Sequence, residues 1–124
     1  MIVGNGVDIV EISRIESILS KQPRFLERNF TQNEIQLFQT KQMRAETIAA
    51  NFAAKEAISK AMGTGIRGFE LKEMEILRNS LGKPVVMLYG AAEATATKLG
   101  ITRFEISLSH HSKDAIAFVI ALSE

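Results

Sequence analysis

At 124 residues, 46% hydrophobic and 23% charged, the chain has the length for one compact domain over residues 1–124 and a composition far from that of disordered proteins. A net charge of +1 excludes a strongly basic nucleic-acid binder on global grounds, and the absence of cysteine excludes a disulfide framework, a thiolate nucleophile and a thiolate-bound metal. MIVGNGVDIVEI has no basic, apolar leader and the longest apolar run, residues 115–122, is too short for a bilayer, so a cytoplasmic protein without a membrane anchor is expected.

Residues 2–10 mix β-branched residues with glycines and predict a strand, with Ile2, Gly4, Gly6 and Asp8 on one face. From Glu11 to about Gln22 the apolar positions Ile12, Ile15, Ile18 and Leu19 recur at helical spacing, and Pro23 redirects the chain. Thr31 followed by Glu34 has the form of a capping box opening a short helix through Ile35 and Phe38. The alanine-rich stretch Arg44 to Met62 predicts the longest helix, ended by Gly63, Thr64 and Gly65. Met74 and Ile76 alternate with charged neighbours before the turn-like residues 79–84, and with Val85 to Leu88 they predict a hairpin. A short helix, Ala91 to Leu99, closes at Gly100, and Phe104, Ile106 and Leu108 alternate along a further strand. The last strand, AIAFVIAL, is apolar throughout and should be covered on both faces. The order of elements predicts an α+β fold, a mainly antiparallel sheet packed with one long central helix and shorter helices.

Three clusters hold chemistry-bearing residues. Asp8 and Glu11 fit a helix cap and its partner, but two glycines on the Asp8 face also leave room for a ligand or a close-packed helix. Glu56 and Lys60 share a helix face, where an exposed ion pair would contribute only about 0.3–0.5 kcal/mol; the alanines around them suit burial instead, and a buried carboxylate needs a partner or a metal. In SLSHHSKD either histidine could bond a phosphate or sit in solvent. No HExxH, GxSxG or GxxxxGK[ST] pattern occurs, so the common zinc-hydrolase, serine-hydrolase and phosphate-loop routes lack support.

Taken in order, GNGVDIVEISRI, NFAAKEAISKAMGTG, GKP and SLSHH resemble the four motifs of the small 4′-phosphopantetheinyl transferases, over nearly the whole chain. The resemblance implies transfer of the 4′-phosphopantetheine group from coenzyme A to a serine of acyl carrier protein, in support of fatty acid biosynthesis. By the same resemblance Asp8 and Glu56 are magnesium ligands and, with Lys60, catalytic. The role of Lys60 is electrostatic in preference to basic, since a free lysine is protonated at neutral pH; a metal-bound water is an equal candidate for the base. His110 matches a histidine at the nucleotide end of the coenzyme, with Gly63, Gly65, Pro84 and Ser109 lining the pocket. Asn51 stands where some relatives carry arginine, which would move a phosphate contact, with Arg44 as a substitute. Arg14, Arg24 and Arg28, with Phe25 as an aromatic anchor, match a docking surface for the acidic carrier; without the resemblance they read as a solvated basic face. A homotrimer follows from the family's small members, with the apolar last strand buried by association and the coenzyme pocket walled by two chains. A non-catalytic module binding coenzyme A or a carrier, and a magnesium-dependent pyrophosphate hydrolase, are the competing readings.

Overall fold

The computed structural model describes residues 1–124. In chain order it contains β1 (Ile2–Glu11), α1 (Ile12–Lys21), α2 (Phe25–Asn29), α3 (Gln32–Thr40), α4 (Ala45–Ala61), a 3₁₀ turn (Leu71–Glu73), β2 (Met74–Arg78), β3 (Pro84–Leu88), α5 (Gly90–Lys98), β4 (Arg103–His110) and β5 (Asp114–Leu122). The fold is α+β and every strand pairing is antiparallel. A three-stranded sheet has the order β1-β5-β4, and β2 and β3 form a separate hairpin.

Local chemistry fixes most of these elements. At the start of α3 the Glu34 N–H donates to Thr31 Oγ1 at 3.2 Å and the Thr31 N–H to Glu34 Oε1 at 3.0 Å, completing the expected capping box. Asn79 turns the hairpin by accepting from the N–H groups of Leu81 and Lys83. Alanine dominates α4 because the helix lies on the sheet at close range. A Cβ added at Gly4 would collide with the carbonyl oxygen of Ala61, and one at Gly6 with that of Ala57. The bare face of β1 therefore admits a helix backbone, which decides between the two uses the glycines allowed.

Twenty-six buried apolar residues form one core, to which β5 contributes Ala115, Ala117, Val119 and Ala121. Its other face is open in the single chain. Ile116 and Phe118 are 36% and 43% exposed, and their partners across the ladder, Ile9 and Val7, are 60% and 54% exposed. The helix that packs on this sheet is α4, and it covers one side only, so AIAFVIAL is shielded on one face within a single chain. What remains is an apolar patch running across two neighbouring strands.

Candidate active site

Strand β1 carries Asp8, and the side of α4 that faces β1 carries Glu56 and Lys60. Lys60 Nζ donates to Asp8 Oδ1 at 3.1 Å and to the carbonyl oxygen of Val7 at 3.0 Å, while Asp8 is only 18% exposed. Lys60 thus bridges to the strand and makes no ion pair with Glu56, its neighbour one helical turn away. The cap alternative for Asp8 also falls away, because α1 begins after Glu11 and no side chain caps it.

Glu56 is half-buried. Burial first, and then the negative charge of Asp8, push its carboxyl above the usual range, with Lys60 and Arg14 pulling it back. A half-buried carboxylate beside a second one, with a single ammonium at hand, forms a locus that a divalent cation would relieve. Both donors are hard oxygens, and no third histidine, cysteine or acid joins them. That set fits magnesium, which takes one or two carboxylates and fills its remaining positions with water and phosphate oxygen, and it does not fit a closed zinc site. Just beyond Lys60 the helix ends in Gly63 and Gly65, whose φ angles of 77° and 61° suit glycine. Nothing lies within 4 Å of a Cβ built at either, so the chain is open there to an approaching ligand.

A second group of expected residues lies elsewhere. Pro84, Ser109 and His110 line a cavity of about 600 Å³ together with Lys41, Arg44 and Arg78, and Glu46 is its only acid. The balance favours an anion. The loop leading to Arg44 holds Gln42 and Met43 at φ 61° and 54°, a left-handed pair that costs about 1–2 kcal/mol per residue and fixes the approach to the cavity.

The two groups occupy opposite edges of one sheet. Asp8 and Leu108 both pair with Ala117 of the central strand, from opposite sides. Thr47, on the cavity wall, and Glu56 are two and a half turns apart on α4 and so face opposite ways. A single chain therefore presents a paired-carboxylate locus and a basic cavity that do not merge.

One expectation needs correction. Phe25 is no exposed anchor: it is 7% exposed and packs against Phe30 and Phe52 at ring-centroid distances of 5.9 Å. Arg14, Arg24 and Arg28 do stay exposed, the last two beside Lys21 on a shallow hollow that Phe25 floors. Asn51 is fully buried and cannot meet a ligand; its Nδ2 donates to Glu34 Oε2 and to the carbonyl oxygen of Ile76.

Asn51 belongs to a network absent from the sequence reading. Lys55, with no exposed surface, sits 2.7 Å from Glu34 Oε1 and also donates to the carbonyl oxygens of Asn29, Leu71 and Met74. Arg78 Nη2 donates to Asn51 Oδ1. The available signal was a lysine and an asparagine one turn apart in a helix otherwise walled by alanine, where no polar face exists to receive them.

A family model for the 4′-phosphopantetheinyl transferase superfamily matches residues 4–119. The chain is similar to a holo-[acyl-carrier-protein] synthase from Clostridium beijerinckii, at 51% identity over 97% of both chains. In structure it is similar to a holo-[acyl-carrier-protein] synthase from Neisseria meningitidis, with a TM-score of 0.91 and 36% identity over 99% of this chain and 100% of the other. A holo-(acyl-carrier-protein) synthase from Bacillus anthracis, solved in complex with CoA (3′,5′-ADP), aligns over 100% of this chain and 99% of its own with a TM-score of 0.82 and 35% identity.

Proposed function

This chain belongs to the 4′-phosphopantetheinyl transferase superfamily, and from that premise we propose that it acts as one domain to move the 4′-phosphopantetheine group of coenzyme A onto a serine of apo acyl carrier protein. The products are holo acyl carrier protein and adenosine 3′,5′-bisphosphate, the reaction serves fatty acid biosynthesis, and its place is the cytoplasm. No helix is long and apolar enough to cross a membrane. The relatives' activity as holo-acyl-carrier-protein synthases and the coenzyme bound by one of them support this reading. The observation that carries it is the cluster of Asp8, Glu56 and Lys60.

In that cluster Asp8 and Glu56 would hold magnesium, which when bound neutralises charge on the coenzyme's pyrophosphate. Lys60 uses two of its three N–H donors on Asp8 and Val7, and its half-exposed ammonium keeps the third for a pyrophosphate oxygen. The carrier serine attacks the phosphorus that bears pantetheine, and the bond to the nucleotide's 5′-phosphate oxygen breaks. Charge accumulates on that leaving oxygen, where a fixed cation is most effective. A pyrophosphate hydrolase with the same cluster would release the nucleotide without a carrier, and a binding module would release none. Release of adenosine 3′,5′-bisphosphate that requires the carrier's serine, and stops when that serine is alanine, supports transfer; release without a carrier contradicts it.

The active species is a homotrimer in this reading. The patch of Val7, Ile9, Ile116 and Phe118 needs a cover, and the cation locus and the basic cavity lie on opposite edges of the sheet. A heterologous contact repeated about a three-fold axis covers the patch and sets one chain's Asp8 edge beside the next chain's His110 edge, while closing into a ring. Gly63 and Gly65 then belong to the first wall, and Pro84, Ser109 and His110 to the second. Light scattering on the active species should give about three times the 13.7 kDa chain mass. Full activity in a monomer would defeat the shared site.

Docking of the carrier falls to Arg14, Arg24 and Arg28. Arg14 is exposed, yet it lies close enough to Glu56 to draw down that carboxyl, so an acidic partner bound there is delivered to the reacting centre. Arg14→Glu should slow carrier association by about tenfold at low salt, and wild-type association should slow as salt rises, whereas coenzyme A affinity should hold. Stopped-flow association rates check this, and an unchanged rate for Arg14→Glu would remove the arginine from the docking surface.

A further inference from the structure

The turn between β4 and β5, at Ser112 and Lys113, lacks the usual means of closure. No residue from His111 to Asp114 has a positive φ, so it is not one of the primed turns that match the twist of a two-residue hairpin. The His111 N–H donates to the Asp114 carbonyl at 3.0 Å, but the return bond from the Asp114 N–H to the His111 carbonyl is missing. A side chain supplies the second tie. His111 Nδ1 accepts the Lys113 N–H at 3.2 Å, and with Nδ1 accepting, the ring proton belongs on Nε2, 3.4 Å from Asp114 Oδ2. In the other hairpin Asn79 plays the same part, its Oδ1 accepting the N–H of Leu81, also two residues on, at 2.9 Å.

The tie reaches beyond the hairpin. Helix α1 starts with no side-chain cap and no acid in its first turn, and its first N–H, that of Ile12, donates to the carbonyl of Lys113 at 2.8 Å. Lys113 is thus held on both sides, its N–H by the imidazole and its carbonyl by the helix. Arg14 follows Ile12 by two residues, in that same first turn, and is exposed. His110 lines the basic cavity and His111 does not, so the second histidine is committed to the turn.

Electrostatic recognition of an acidic carrier depends on where the docking cations stand. We infer that His111 is a positioning residue for the carrier: it fixes the turn that seats α1, and thereby the place at which Arg14 meets the acidic partner. The inference rests on the reading of α1 as the carrier's dock.

The test is steady-state transfer to apo acyl carrier protein, with magnesium, varying the carrier and then coenzyme A, for wild type, His111→Ala, His111→Leu, His111→Asn and Arg14→Glu. The ring is exposed, so none of the His111 changes touches the core. His111→Ala and His111→Leu, which offer no acceptor, should raise the KM for the carrier about three- to tenfold and leave kcat and the KM for coenzyme A in place. His111→Asn presents an oxygen to the Lys113 N–H and should stay within about twofold of wild type. An unchanged carrier KM in His111→Ala, a loss in His111→Asn as large as in His111→Ala, or an equal rise in the KM for coenzyme A would overturn the inference while Arg14→Glu still reports docking. Arg14→Glu without effect on the carrier KM would remove the docking reading and the inference with it.

Discussion

Glu56→Gln should fold like the wild type and lose about a thousandfold in kcat/KM, together with its response to magnesium, which corresponds to roughly 4 kcal/mol of transition-state stabilisation. The amide keeps the shape of the side chain and removes the charge that the cation locus depends on. Stability should move the other way. Burial and Asp8 raise the Glu56 pKa in the fold, so the charged form is less favoured in the folded than in the unfolded chain, and a carboxylate there lowers stability at pH values above the folded pKa. Glutamine removes that cost, so the melting temperature near neutral pH should hold or rise. A variant inactive and equally stable separates a functional carboxylate from a structural one; a rate near that of wild type would take Glu56 out of the metal site.

Lys55→Ala should have the reverse profile, with loss of the fold as the primary effect. Its ammonium lies 4.8 Å from the centre of the Phe30 ring and ties α4 to Glu34, to the end of α2, to the 3₁₀ turn and to the start of β2. Burial pushes the Glu34 carboxyl up and the Lys55 ammonium down, and each is opposed by the other's charge. Removing the lysine strands a buried carboxylate and several carbonyl oxygens, at a cost of about 3–5 kcal/mol, a large share of what holds a domain of this size together. Replacing both members, with Lys55→Met and Glu34→Gln, should cost less than the sum of the single changes, because no charge is then left unpaired. Urea denaturation measures both. A loss below about 1 kcal/mol for Lys55→Ala would mean that the pair is not structural.

Most elements were legible because their signals are local. The period of α1, the Thr31–Glu34 box and the turn at Asn79 each involve residues a few positions apart, and each formed where it was expected. Helix α2 was not read, since five residues after Pro23 carry too little periodicity. For β5, the run AIAFVIAL records that both faces avoid water and is silent on which of them α4 covers. The grouping of Asp8, Glu56 and Lys60 came from the family resemblance; the glycines on β1 and the alanines on α4 allowed a close-packed helix without deciding for it, and the packed chain shows that approach. Strand order has no such local trace. That Ser109 and His110 stand across β5 from Asp8, and that Asn51 and Lys55 point inward, emerges only from the packed chain.

One reaction decides whether the chain transfers phosphopantetheine. Apo acyl carrier protein incubated with this chain, magnesium and coenzyme A should gain the mass of one phosphopantetheine group on its serine, read by intact-protein mass spectrometry, and a carrier with that serine changed to alanine should gain nothing. A carrier that keeps its apo mass while the coenzyme is consumed, or while both components stay unchanged, would contradict transfer by Asp8, Glu56 and Lys60.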